Sequence, residues 1–485
     1  MKEKVTFCAF VTQSLAAIII AFLTSLTGFV YGWPSYTLAN FVSNETLLSH
    51  PMSKLEVSLL GSLTNLGALV VTPFIGYILD SIGRKYSAML FGLPSVIAWS
   101  VLCITNYVPL ILLAVGFAGV GAAGQAVSSV YISEICQNSI RGALTSTTVS
   151  GYFLGLLFTY TIGGRLTYHQ VIYVHLSLSI LYVLLLAVLQ DSPVYLMQKG
   201  REQEAARAVT FYRRVPVRSK EVEVVIANIK LQLDPQSANT LLAHEDSSKH
   251  LIKAKLKENL KEQSAWAYLK KSESSKRALA TVIIVMVTTI CMGSIALQVY
   301  AEPLFKEAVP SMDPNQCSIY LAIVYVVASL VCSVLLDRLG RKFLLTTTSV
   351  GSGILTLLLG TQLRYHWAPH WVTATFIYVF GFVYNLGAAV VPFVLTAEVF
   401  LPEVRGLGNS ITMAFMWIMN FATLIVFHPI VNIIGLGFTF CLFSVVCFFG
   451  AIYSQFCLPE TKGLSADEIQ LLFQKRPNQV RNNKV

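Results

Sequence analysis

The sequence predicts an all-α membrane protein of twelve transmembrane helices in two six-helix bundles, joined by a helical linker. Three observations predict it. The chain is 55% hydrophobic and only 12% charged, with a mean hydropathy of +0.64, whereas soluble domains carry about 25% charged residues. Apolar runs near the ~20 residues needed to cross hydrocarbon recur twelve times. Polar signposts between those runs also recur. Asp80-Ser-Ile-Gly-Arg-Lys85 returns as Asp337-Arg-Leu-Gly-Arg-Lys342, 257 residues later. Glu134 with Arg141-Gly142 returns as Glu398 with Arg405-Gly406, 264 residues on, and Asp191-Ser192-Pro193 has a looser echo in Pro459-Glu460-Thr461. Three features repeated in one order indicate an internal duplication.

The expected spans lie at about 8–32, 56–79, 86–105, 108–133, 142–164 and 171–189 in the first half. Those of the second half lie at about 278–300, 315–336, 343–362, 371–397, 407–428 and 433–457. This gives a first bundle over 1–189, a linker over 190–277, a second bundle over 278–457 and a tail over 458–485. The first run continues from Val5 to Trp33. That exceeds the apolar core of a signal peptide, so an uncleaved first span is expected.

Basic residues orient the spans. One set of loops holds Lys54, Arg165, Lys306 and Arg364. The opposite loops hold 14 Lys and Arg even without the 17 of the long linker. Positive charge stays on the cytoplasmic side, so both termini and the linker are expected inside. The net charge of +10 is explained the same way, with no basic patch interleaved with aromatics for nucleic acid. The loop from Ser35 to Lys54 then faces outward, and its Asn44-Glu45-Thr46 is a candidate glycosylation acceptor. Trp33, Trp367 and Trp371 fall at outer span ends, where indole rings anchor a membrane protein.

Nine cysteines show neither metal spacing nor a disulfide framework. Cys103, Cys291, Cys332, Cys441 and Cys447 fall inside apolar runs, as packing residues do. In the linker, Asp191-Ser192-Pro193 opens a helix with proline in its first turn, followed by helical periodicity over 194–214. Further amphipathic stretches near 220–232 and 251–268 suggest short helices beneath the membrane domain, clasping the two halves. A loosely ordered linker is the other reading for 233–250.

The charged signposts have a physical reading of their own. Asp80, Arg84, Glu134 and Arg141 in the first half, and Asp337, Arg338, Arg341, Glu398 and Arg405 in the second, all map to cytoplasmic span ends. There they avoid the bilayer centre and can pair across helices. A guanidinium fork holding a carboxylate gives a defined yet breakable inner gate. Topology needs only the bases, so acids at matching positions in both halves point beyond it.

These motifs, together with Tyr131-Ile-Ser-Glu134 and Pro459-Glu-Thr-Lys-Gly463, resemble the sugar-porter family of the major facilitator superfamily over nearly the whole chain. The stretch SPVYLMQKGREQEAARA after the sixth span most resembles the insect facilitated trehalose transporters. The resemblance implies transport by alternating access, with the charged pairs linking the two bundles when the inner side is closed. It also implies a midplane solute site, from which this chain departs. Where the family carries Gln-Gln-x-x-Gly-x-Asn in its seventh span, this chain has Thr289-Ile-Cys-Met-Gly-Ser-Ile295. The customary glutamine of the fifth span falls on Val149, and the arginine near the start of the fourth on Ala114. Pro392 is kept but the following tryptophan is Phe393. In the eleventh span one asparagine is Met416, while Trp417 and Asn420 match. The remaining polar candidates for substrate contact are Gln125, Thr289, Gln298, Asn385 and Asn420, with Phe393 and Trp417 as aromatic platforms.

The expected function is facilitated, alternating-access transport of a small neutral solute of the trehalose or hexose class. A proton symporter needs an ionisable group in its pathway. Here Asp80, Glu134, Asp337, Glu398 and Glu302 all lie at span ends, and Gly32-Trp33-Pro34 stands where proton-linked porters often carry an aspartate. His175 and His428 are the histidines that could substitute. Two other readings stay open: a proton-coupled symporter, and a transporter-like receptor that binds without moving solute. No catalytic residue, metal site or cofactor is expected, because no nucleophile–base set, ligand spacing or phosphate loop occurs. The expected setting is the plasma membrane.

Overall fold

The computed structural model describes residues 5–217, 219–233, 265–464 and 466–474, all helices and their connections. Among these residues ten helices are long and apolar enough to cross a bilayer. They match the expected spans one to four, six and eight to twelve. The fifth and seventh are assembled from shorter pieces: Asn138–Thr145 with Thr147–Gly163, and Glu273–Ile290 with Ser294–Val299 and Ala301–Ala308.

Spatial pairing repeats across the duplication. In the first half, span one packs on five, two on four, and three on both four and six. In the second half, seven packs on eleven, eight on ten, and nine on both ten and twelve. Each pair in one half is the other's with six added. The same sequence signposts thus sit in the same three-dimensional frame twice.

The first helix runs from Phe7 to Phe41, well past the expected end, with Pro34 inside it. Proline removes only one backbone donor, and spans tolerate it within a packed bundle; the residues flanking Pro34 are buried. This extension corrects the reading of Trp33. The side chain is 1% exposed and packs edge-on against Trp99 and Phe41, with ring centroids 5.9 and 5.4 Å away. It is a packing residue of the first bundle. Trp367 and Trp371 do stand exposed at the ends of their helices.

Linker helices Pro193–Gln198, Glu202–Arg213 and Lys220–Leu233 share a small core of Tyr195, Leu196, Ala205, Val209, Val222 and Ile226. They dock on the first half. Gln13 Nε2 donates to the Tyr212 carbonyl at 3.3 Å, and Arg214 Nε to Thr12 Oγ1 at 2.9 Å. Burial holds the Tyr212 phenol above its ordinary pKa. Ala265–Lys271 instead contacts the seventh and eleventh spans. The expected clasp is therefore divided between the halves; 234–250 and most of 251–268 lie outside the described residues. A tail helix, Ala466–Gln474, closes under the second half, where Gln470 Nε2 donates to the Val399 carbonyl at 2.9 Å.

Candidate functional site: the seam between the bundles

Two faces can be named without assuming a compartment: one carries the Asn44 loop, the other the linker. On the linker face the charged signposts form two matching cages. Gly83 and Gly340, at φ +92° and +88°, cap the third and ninth spans. The Arg84 and Lys85 N–H groups donate to Asp191 Oδ1 at 3.0 and 3.1 Å. Those of Arg341 and Lys342 donate to Glu460 at 2.8 and 3.1 Å. A carboxylate at a helix N-terminus satisfies orphan donors and opposes the macrodipole. The guanidinium of Arg84 then grips Glu134 at 2.9 Å, and that of Arg341 grips Glu398 at 2.8 Å. Ser192 Oγ and Thr461 Oγ1 donate to the same two glutamates. Even the arginine's third bond repeats, to the carbonyl of Leu79 or Leu336 at 3.2 Å.

Each ion pair lies inside its own bundle. The expected bonds between the bundles are not what these residues make in this conformation. The helix order brings the third span against the fourth and sixth of its own half, so the nearest partners are local. The side chains of Asp80, Arg141, Arg338 and Arg405 face solvent; Arg405 reaches the Phe400 carbonyl at 3.4 Å. The Asp337 side chain lies outside the described residues.

The bundles meet through spans two and eleven and spans five and eight. Among the described residues the cross-bundle hydrogen bonds are neutral. Ser150 Oγ and Ser329 Oγ stand 3.1 Å apart. The Tyr152 hydroxyl donates to Gln298 Oε1 at 2.8 Å, and the Tyr160 hydroxyl donates to the Gln298 backbone carbonyl. Asn315 Nδ2 donates to the Tyr160 carbonyl at 3.1 Å, and the Glu302 N–H to Ser35 Oγ at 2.9 Å. Gly61 abuts the Tyr300 phenol tip, where a Cβ would come within 2.1 Å of the hydroxyl. The serine pair and the Tyr152–Gln298 bond lie near mid-depth, and the other contacts lie toward the Asn44 face. Above them opens a cavity of about 550 Å³, lined by Ser35, Lys54, Val57, Glu302, Glu307 and His428 among others.

Near mid-depth three helices break. The fourth span breaks at Ala123-Gly124, the seventh at Gly293 (φ +89°), and the tenth between Leu386 and Val391. Spans four and ten correspond across the duplication. Interrupted helices in corresponding positions are the backbone signature of a midplane transport site. Gln125, half-buried, opens the helix after the first of these breaks. Asn385 precedes the third; its Nδ2 donates back to the Gly381 carbonyl at 2.8 Å, and its buried Oδ1 is unpartnered. Phe393, just beyond, is 36% exposed. Trp417 is buried and Asn420 half-buried on the eleventh span. Thr289 points elsewhere: its hydroxyl returns to the Met286 carbonyl at 2.9 Å, among Val285, Leu345 and Tyr453 inside the second bundle. Gln298 is the candidate most fully engaged, and its engagement is with the other bundle.

Residue types that the motifs do not single out pack behind the seam, within the first bundle. Tyr31 donates to Asn65 Oδ1 at 2.6 Å and meets the Tyr152 ring edge-on at 6.0 Å. The signal was available: Tyr152 stands three residues beyond Val149, on the same helix face, where a hydroxyl can answer for the missing amide. His175 is fully buried inside the first bundle, stacked on Phe29 at 4.7 Å and 3.2 Å from Thr159 Oγ1.

Comparison with known proteins agrees with this architecture. The family model described as sugar (and other) transporter matches residues 12–473. The facilitated trehalose transporter Tret1 of Aedes aegypti is 26% identical over 471 residues, covering 95% of this chain and 55% of that protein. The chain thus spans about half the length of that mosquito relative. The Bombyx mori protein of the same name is 27% identical over 487 residues, covering 97% and 88%. Among solved structures, the inward-open xylose transporter XylE from E. coli superposes with a TM-score of 0.72 at 19% identity, covering 95% of this chain and 98% of that one. A XylE structure bound to 6-bromo-6-deoxy-D-glucose gives 0.69 at 20% identity, covering 96% and 99%. These two show the fold. With the family model spanning nearly the entire chain and the duplicated cages in place, the chain belongs to the sugar transporter family of multi-pass membrane proteins.

Proposed function

We propose that this protein carries a neutral sugar, of the trehalose or hexose class, down its gradient by alternating access. The bundles 1–189 and 278–457 move as bodies, each stiffened by its own charged cage. The observation that carries the reading is the neutrality of the seam. Hydroxyls and amides meet there with no ionised side chain among the cross-bundle bonds described, which suits a polyhydroxylated solute; the ionisable groups beside the seam, Lys54, Glu302, Glu307 and His428, line the cavity toward the Asn44 face. The facilitated trehalose transporters among its relatives support the substrate class. His175 is packed and hydrogen-bonded within one bundle, away from the seam, which favours a facilitator over a symporter.

The proposed orientation puts the Asn44 face outside the plasma membrane, with linker and termini in the cytoplasm. Asn44 is exposed just past the end of the first helix. Expressed in a glycosylating host, the wild type should shift on enzymatic deglycosylation and Asn44→Gln should not. Antibody access to either terminus in unpermeabilised cells contradicts the orientation.

The function itself is tested by entrance counterflow. Purified protein in liposomes loaded with trehalose, glucose, fructose or a polyol should draw in labelled solute of at least one kind. Saturable binding without counterflow would favour the receptor reading.

A further inference from the structure

We infer that Tyr152, Tyr160 and Gln298 are the solute-recognising set on the Asn44 side, and that in this conformation the same groups bolt that side shut. The inference rests on the proposed sugar transport and adds residues that the family motifs do not supply.

The argument starts from what Gln298 is doing. Its Oε1 accepts from Tyr152 at 2.8 Å, its Nε2 lies 3.3 Å from Ser294 Oγ, and its backbone carbonyl accepts from Tyr160. Gln298 is 6% exposed and Tyr160 1% exposed, so these are dry bonds that close one bundle on the other. Both tyrosines sit on the fifth span and Gln298 on the short helix after the Gly293 break. At 1.5 Å per residue, Tyr152 lies about 17 Å below the Asn44-side end of its helix. The bolt therefore spans the passage from that face down to mid-depth.

When spans five and seven part, two phenols and a primary amide lose their partners together. A buried donor or acceptor left unmade is costly. A neutral polyol, with paired hydroxyls that both donate and accept, satisfies all three groups without burying a charge. The amides missing at Val149 and Thr289 are in this way answered by phenols one and three turns along and by an amide beyond the break. Solute and closure then compete for one set of atoms. Sugar entering from the Asn44 side holds that face open until the groups deeper in the seam take it over.

Competition of this kind is a difference in solute affinity between two states, so it can be read as a population. The full-length protein would carry spin labels at Asn44→Cys and Ser311→Cys, one exposed position on each half of the Asn44 face. The exposed Cys8 and Cys457 would be changed to serine. Tyr152→Phe and Gln298→Leu should each raise the ratio of long to short distances about tenfold without solute, the equivalent of one lost hydrogen bond. The double variant should go no further, because both changes remove the same bond. A sugar exchanged in counterflow should lengthen the wild-type distance and lengthen the variants' much less. Should Gln298→Leu fail to fold, Tyr160→Phe carries the same expectation. Unchanged distances in the solute-free variants, or a sugar that shortens the wild-type distance, overturn the inference. A protein that exchanges no sugar at all overturns the functional reading on which it rests, while the solute-free distances still decide the bolt.

Discussion

At Gly83 the absence of a side chain decides how the third span begins. A Cβ there would stand 2.3 Å from Asp191 Oδ2 and 2.6 Å from the Tyr195 ring, at a φ of +92° that L side chains rarely adopt. With ψ at 171° this is backbone open essentially to glycine alone, and forcing another residue into it costs about 1–3 kcal/mol, so Gly83→Ala should lower the thermal midpoint in detergent clearly. Gly142→Ala meets nothing within 4 Å and should leave the midpoint unchanged. The same measurement separates the arginines. Arg84 and Glu134 side chains are 6% and 15% exposed, and removing one partner of a buried pair costs roughly 3–5 kcal/mol. Arg84→Ala should therefore destabilise the first bundle strongly, whereas Arg141→Ala, at an exposed position, should cost under about 0.5 kcal/mol. Equal midpoints for the two variants would contradict the cage. Charged residues among apolar runs announce themselves in a sequence, which is why Arg84, Glu134, Arg341 and Glu398 were legible there. Their partners were not, because pairing depends on which helices become neighbours. Tyr31, Tyr152 and Tyr160 passed unnoticed for a different reason: a tyrosine in a span reads as packing until its hydroxyl has a partner.

Helices were legible where apolarity ran unbroken and illegible where backbone geometry intervened. The run to Trp33 stopped, in the sequence, at Pro34; the helix does not stop there, and Trp33 moved from membrane anchor to bundle core as a result. The breaks at Ala123-Gly124 and at Gly387 left no mark in hydropathy, since glycine and alanine are common throughout these spans. At Gly387 a Cβ would meet Thr348 Oγ1 at 2.6 Å, a contact invisible before the ninth and tenth spans are placed together. The tail shows the converse, a short amphipathic helix whose role only packing reveals. Ile469 is fully buried and Phe473 nearly so. Ile469→Ala should cost about 2–5 kcal/mol, as large-to-small core changes do, seen as a lower thermal midpoint of the purified protein. A midpoint within error of wild type would mean that the tail helix adds nothing to the second bundle.

Across the whole molecule, the duplication explains both the fold and the division of labour within it. Charged bonds are kept inside each half and neutral bonds at the seam. On the proposed mechanism the first need not break during a transport cycle and the second must, so two stiff bodies would exchange one closed face for the other at low energetic cost. The same arrangement also accounts for what was legible in the sequence: a duplicated set of spans follows from composition and repetition, the sugar-like solute only from the family resemblance, and the seam residues only from which helices become neighbours. The central claim is passive carriage of a sugar through that seam. Its most direct test is tracer flux in proteoliposomes, with an exchanged sugar and an imposed pH difference, inside and outside buffered. The account predicts saturable flux in both directions, an internal concentration that rises to the external one and no further, and rates indifferent to the sign of the pH difference. Accumulation above the external concentration that a protonophore abolishes would contradict it.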